Sequence, residues 1–182
     1  MRDLSSIARV EGPNLILRLI EPEDAAYVHS LRSNPAYNTH LSTVTGTVDD
    51  QRAWIEDYKS REAQVQELYY VIERKDGTRC GLVRLYDIDA DSFTWGSWIL
   101  DENKPRKAAL ESAILIYEVG FDGLGCDHAV FDVRNDNSYT LAFHRRLDTL
   151  GIATDELNVY FNYEQRQFVS DRPHYLKLLN EN

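Results

Sequence analysis

Lys104, Arg106 and Lys107 place three cations within four residues of the stretch Asn103–Leu110. The chain around them is acidic, with 20 Lys+Arg against 30 Asp+Glu and a formal net charge of −10. The cations stand where an apolar run begins. Leu110, Ala113, Ile114, Tyr117 and Phe121 recur at helical spacing, and Ala109, Leu115, Ile116 and Val119 make the run apolar nearly all round. That pattern predicts a buried central helix from about Arg106 to Phe121. Its first turn would present backbone N–H groups without intrahelical acceptors, at the positive end of the helix dipole. A phosphate or pyrophosphate placed there would gain charge-assisted hydrogen bonds. The competing reading is a solvated basic loop with no ligand.

Other chemistry-bearing residues give less. Cys80 and Cys126 form no CxxC pair, and no Cys/His spacing resembles a zinc site, so free thiols in a reducing compartment are expected. His128 and Asp132 lie in a buried-strand pattern without further metal-ligand partners, so no metal is expected. Gly123–Gly125 reads GxG but follows a helix instead of preceding one, which argues against a dinucleotide fingerprint. Trp95 and Trp98 read as core and wall. His40, in a polar stretch, is a candidate substrate contact or ordinary loop surface.

At 182 residues, 43% hydrophobic and 27% charged, the chain reads as one folded domain over 1–182. Its acidity argues against general nucleic-acid or anionic-membrane binding. It has no apolar run of membrane-spanning length and no signal-peptide segment, so a cytoplasmic location is expected. Asn14–Ile20 reads as a strand, and Pro22 opens a helix that stops by Asn34-Pro35. Residues 36–46 are long enough for a functional loop. Thr47 and Asp50 form a capping-box pattern, and the helix behind it sets Trp54, Ile55 and Tyr58 on one face. Residues 67–74, 79–88 and 93–100 read as an antiparallel meander turning at Lys75-Asp76-Gly77 and at 89–92. After the buried helix come a strand at 128–133, a helix at 137–150, a strand at 157–163 and a short terminal helix at 171–180.

This order of elements, and the spacing from Gly96-Ser97-Trp98 to Glu118-Val119-Gly120-Phe121, resemble the GNAT superfamily of acyl-CoA-dependent N-acetyltransferases. Residues 17–35 resemble the first strand and helix of its ribosomal-protein and amino-sugar branches. The resemblance covers roughly residues 14–165, with the short C-terminal helix after it. It implies an α/β (α+β) fold: a mixed sheet of about six to seven strands with helices on both faces, splayed between strands four and five. It implies acetyl-CoA as cofactor, with Ile99 and Leu100 on the pantetheine arm and the loop Lys104, Pro105, Arg106, Lys107, Ala108, Ala109 and Leu110 on the pyrophosphate. The family's loop reads Gln or Arg, x, x, Gly, x, Gly or Ala. Here Lys104 takes the first place, Lys107 stands at the first glycine, Ala109 fills the last place, and Pro105 replaces a common glycine. Either side-chain cations compensate for a tighter backbone, with Pro105 pre-setting a helix start, or the loop no longer admits acetyl-CoA.

The family's Asn-x-x-Ser-x-x-Leu-Tyr-Glu-Lys-x-Gly motif maps onto Asn137, Thr140, Phe143, His144, Arg145, Arg146 and Leu147, with Asp148 at the glycine place, and the resemblance implies Asn137 and Thr140 as cofactor contacts. Asn135 is the other anchor if the register moves by two. His144 then stands where a tyrosine commonly protonates the departing thiolate, and imidazole titrates in a range suited to that role. The competing reading packs His144 against cofactor or strand. By resemblance a backbone N–H near Ile99 would meet the developing oxyanion. Asp87, Asp132 or a water chain could serve as base, and transfer would be direct, with neither cysteine as nucleophile. The implied function is an acetyl-CoA-dependent N-acetyltransferase acting on the primary amine of a small molecule, an amino sugar or nucleotide-linked amino sugar of surface-polysaccharide biosynthesis. The alternatives are a protein N-terminal acetyltransferase and a non-catalytic acyl-CoA-binding module. The expected partner is the small-molecule amine, with homodimer formation open.

Overall fold

The computed structural model describes residues 2–147 and 151–182, so Asp148 lies outside the described residues. Eight strands form one mixed sheet: β1 (Arg9–Glu11), β2 (Leu15–Leu19), β3 (Leu68–Arg74), β4 (Arg79–Tyr86), β5 (Ser92–Leu100), β6 (His128–Arg134), β7 (Gly151–Thr154) and β8 (Asn158–Glu164), in the order β1-β2-β3-β4-β5-β6-β8-β7. Every neighbouring pair is antiparallel except β5 and β6. The fold is the expected mixed α/β one, but eight strands replace the expected six to seven. The two extra strands are the edges. β1 has three residues and β7 four, and β7 is exposed throughout, so neither carries the apolar alternation by which a half-buried strand is read.

Helices cover both faces. α1 (Ala25–Arg32) and α3 (Val48–Ala63) bury Val28, Leu31, Ile55 and Tyr58 against Tyr69, Val71, Leu82 and Ile99. α4 (Ala108–Glu118), α5 (Ser138–Arg146) and α6 (Gln165–Asn180) pack the opposite face over Tyr70, Ile72, Val83, Phe93 and Trp95. Tyr69 and Tyr70 thus point to opposite sides, and β3, buried on both faces, is a continuous apolar run. α3 begins with the expected capping box between Thr47 and Asp50. The stretch after α1 is not all loop: Asn34 Oδ1 accepts from Ala36 N–H at 2.9 Å and starts a single turn, α2 (Pro35–Asn38).

The central helix differs from its expected bounds at both ends. It begins at Ala108, after Lys107, which holds the left-handed backbone conformation at φ 60 and ψ 20. It ends at Glu118 and passes into a π-helical turn, Val119–Gly123. That turn runs against Phe93: a Cβ on Gly120 would lie 2.1 Å from the Phe93 ring, so only glycine fits. The terminal helix is longer than expected. It starts at Gln165 instead of Asp171 and carries Pro173 inside it. Its core contacts, Phe168, Tyr175 and Leu179, are sparse, and Pro173 reads locally as a breaker, so its first half is hidden in the sequence.

Candidate active site

The site forms where the sheet comes apart. β5 and β6 are in register only at Ser92↔His128, Phe93↔Ala129 and Thr94↔Val130. Beyond Thr94, β5 continues to Leu100 and β6 to Arg134 without pairing, while β5 stays bonded to β4 as far as Gly81↔Leu100. The backbone of residues 95–100 therefore turns unpaired groups toward an opening, and such groups require partners. β5 also bulges. Ser97 has φ 47, and the β4–β5 register shifts between Leu82 and Arg84. The bulge puts Trp95 and Trp98, three residues apart, in contact at 5.2 Å on the α4 side, where the Trp98 indole N–H donates to Ser112 Oγ at 3.2 Å. Ile99 falls on the α1/α3 face.

α5 sets His144 beneath this opening. Asn137 caps the helix, its Oδ1 accepting from Thr140 N–H at 3.2 Å, so these two expected cofactor contacts first serve each other. The imidazole centroid lies 5.7 Å from Trp95 and 6.4 Å from Trp98 on β5, and 4.7 Å from Phe131 on β6. The ring thus bridges the two diverging strands. It is 2% exposed, and burial pushes its pKa down to about 4. At neutral pH it is therefore a neutral imidazole, without the minor imidazolium fraction that an ordinary histidine keeps there. Its Nδ1 is buried without a hydrogen-bond partner among the described residues.

At the other end of β5, buried Asp101 fixes the start of the basic loop, accepting from Tyr27 O–H at 2.7 Å and Asn103 N–H at 2.8 Å. Lys104 N–H donates to Asp101 O and Ala108 N–H to Pro105 O, while the N–H groups of Arg106, Lys107, Ala109 and Leu110 have no intramolecular acceptor among the described residues. Four donors at a helix start form an anion-binding nest. Glu111, 1% exposed, holds the first turn of α4 against β2. Its carboxylate accepts from Asn14 N–H at 2.7 Å, Leu15 N–H at 2.8 Å and Asn14 Nδ2 at 3.0 Å. The side-chain cations divide. Lys104 and Arg106 are exposed and unpaired among the described residues. Lys107 Nζ instead donates to Leu178 O at 2.5 Å and to Glu181 O, at the C-terminal end of α6. Of the three side chains expected to face a phosphate, Lys107 is therefore engaged elsewhere, because a helix end with unsatisfied carbonyls claims it.

On the α1/α3 face a cavity of about 360 Å³ is walled by Arg32, Trp54, Tyr69, Arg84 and residues 42–45. Arg84 pairs with Gly96, just past the last β5–β6 pair, so the cavity abuts the opening from the side opposite α4. Loop residues next to His40 wall it, but His40 does not. Its Nδ1 lies 3.2 Å from Asp136 Oδ1, between β6 and α5. Asp132 on β6 has its pKa raised by partial burial and by the Asp155 carboxylate. Sequence reasoning passed over Arg32, Arg84, Asp101 and Glu111.

Four free N–H groups at α4, an unpaired strand flank and an orphaned imidazole nitrogen fit a ligand with a phosphate group and an amide-bearing arm, as acetyl-CoA has. Among the described residues no group of three or more His, Cys, Asp or Glu could hold a metal ion, and no helix is long and apolar enough to cross a membrane. Residues 14–149 match the family model described as acetyltransferase (GNAT) domain. The chain is 22% identical over 138 residues to an SPbeta prophage-derived uncharacterized N-acetyltransferase, YokL, of Bacillus subtilis (strain 168), covering 75% of this chain and 76% of that one. Its structure is similar to apo FdhC, a nucleotide-linked sugar GNAT, with TM-score 0.85 and 37% identity over 92% of this chain and 96% of that one. It is also similar in fold to spermidine N-acetyltransferase from Vibrio cholerae in complex with CoA and spermine, with TM-score 0.76 and 17% identity over 87% and 99% of the two chains.

Proposed function

The chain belongs to the GNAT acetyltransferase family, and on that premise we propose that it transfers acetyl from acetyl-CoA to the primary amine of a nucleotide-linked amino sugar. One observation carries the substrate class: the likeness to a nucleotide-linked sugar GNAT at 37% identity over 92% of this chain. Acetyl-CoA supplies the acetyl group as an activated thioester. Residues 95–100, Ile99 and Leu100 among them, offer unpaired backbone to the pantetheine arm. The N–H groups of Arg106, Lys107, Ala109 and Leu110, with the Lys104 and Arg106 side chains, hold the pyrophosphate, while Pro105 and Ala108 shape the turn. Asn137 and Thr140 set α5, which carries His144. In the tautomer protonated at Nδ1, neutral His144 donates a hydrogen bond at the departing sulfur. Asp132 on β6, with a raised pKa, takes the proton from the amine. His40, beside Asp136, borders the acceptor side.

The test is a coupled thiol-release assay over nucleotide-linked amino sugars, free amino sugars, polyamines and N-terminal peptides. The highest kcat/KM is expected for a nucleotide-linked amino sugar. A preference for peptides or polyamines would overturn the substrate class. Coenzyme A binding without thiol release on any amine would return the non-catalytic reading.

A further inference from the structure

We infer that Arg32 is the anion anchor of the acceptor site, receiving the diphosphate of the nucleotide-linked amino sugar. This rests on the substrate class proposed above and adds the residue that reads it. Arg32 is 9% exposed and has no carboxylate partner among the described residues. One terminal nitrogen donates to Ser42 O at 3.2 Å and Ser42 Oγ at 2.8 Å, and its Nε is buried with no partner among the described residues. A guanidinium withdrawn from water is ordinarily paired with an anion, and removal of that anion is strongly unfavourable. Arg32 lacks one within the chain and lines a cavity of about 360 Å³.

The other charged groups of the cavity are accounted for. Arg84 pairs with Glu67 at 2.9 Å and lies over Trp54 and Tyr86 at 5.7 and 5.2 Å, although its Nε too is buried without a partner. Asp50 is committed to the cap of α3, accepting from Thr47 N–H at 2.7 Å and Thr47 Oγ1 at 3.0 Å. What remains uncompensated is positive. The surrounding wall, Ser42, Thr43 and Thr45, offers hydroxyl and backbone donors, and His29 Nε2 holds that loop at Gly46 O, 3.0 Å away. Such a lining repels a polyamine and suits phosphate oxygens, for which a guanidinium fork is the better match. α4, whose first turn carries the free N–H groups, packs on the opposite face of the sheet from the cavity, so the two anion sites take different ligands.

Calorimetry on the full chain saturated with coenzyme A tests this with UDP, dTDP, uridine and glucuronate. The diphosphates are expected to bind at least tenfold more tightly than uridine or glucuronate. Arg32→Gln should lose tenfold or more of that affinity, with Arg32→Lys between, while coenzyme A affinity stays unchanged. Thermal melting of the wild type needs no variant: UDP should raise Tm and uridine should not. Tighter binding of glucuronate than of UDP would overturn the diphosphate assignment. An unchanged KM of Arg32→Gln for a nucleotide-linked amino sugar that wild type acetylates would overturn the inference and leave the substrate class standing. Acetylation of free amines with no activity on nucleotide-linked sugars would overturn both.

Discussion

Lys107 occupies the backbone position of a phosphate-loop glycine but spends its side chain on α6, and replacing it two ways separates those roles. Its φ of 60 is one that a side chain with a Cβ holds at a cost of about 1 kcal/mol, from which glycine is free. Its ammonium satisfies the Leu178 and Glu181 carbonyls at the end of α6. At this half-buried position that interaction with a helix C-terminus contributes about 1 kcal/mol. Lys107→Ala loses the tie and keeps the strain, so it should be destabilised by about 1 kcal/mol. Lys107→Gly loses the tie and sheds the strain, so the two effects offset and stability should stay near wild type. For a chain of this size the difference corresponds to roughly 2–4 °C in Tm. Thermal denaturation reads it, and calorimetry with coenzyme A reads the other half. Both variants should bind coenzyme A within about twofold of wild type, whereas Lys104→Ala and Arg106→Ala, which remove charge-assisted contacts, should each weaken it about tenfold. If Lys107→Ala lost as much coenzyme A affinity as Arg106→Ala with no fall in Tm, the side chain would be a phosphate ligand and the reasoning would fail.

His144 makes stability depend on pH. Its folded pKa of about 4 lies below the ordinary histidine value of 6.5, so the unfolded chain binds the extra proton between these limits. Stability is fully present above pH 6.5 and is lost as pH falls toward 4, by about 2 kcal/mol between pH 7 and 5. Urea melts of His144→Phe should lack that share of the loss, and an identical pH profile in the two proteins would refute the buried neutral state. Asp132→Asn should lower kcat/KM by about 100-fold or more with coenzyme A affinity unchanged; wild-type activity in a thiol-release assay would remove Asp132 as the base.

Charge separates what the sequence discloses from what it conceals. Residues 108–121 are legible as a buried helix because their apolar pattern is local, as is the capping box at Thr47 and Asp50, three residues apart. β1 and β7 are not legible, being short edges without a core face. Nothing in residues 92–134 announces that β5 and β6 pair at three positions and then diverge; only the resemblance implied it. The basic cluster shows the difference most clearly. A count of cations near a helix start treats Lys104, Arg106 and Lys107 alike, yet Lys107 has its partner 71 residues away. Lys107, which the resemblance aligns with a glycine, holds a left-handed backbone with its side chain turned aside. The nest is therefore kept by backbone geometry, with four free N–H groups, and the α6 tie offsets the strain that a non-glycine residue brings. Arg32 is the converse. In the sequence it is one arginine among many, and only the folded chain reveals that no carboxylate answers it. Charge in a sequence is a count, whereas in the fold it is a pairing, and among the described cations without a carboxylate partner, Lys104 and Arg106 beside α4 and Arg32 in the cavity are the ones the proposed reading assigns to anions.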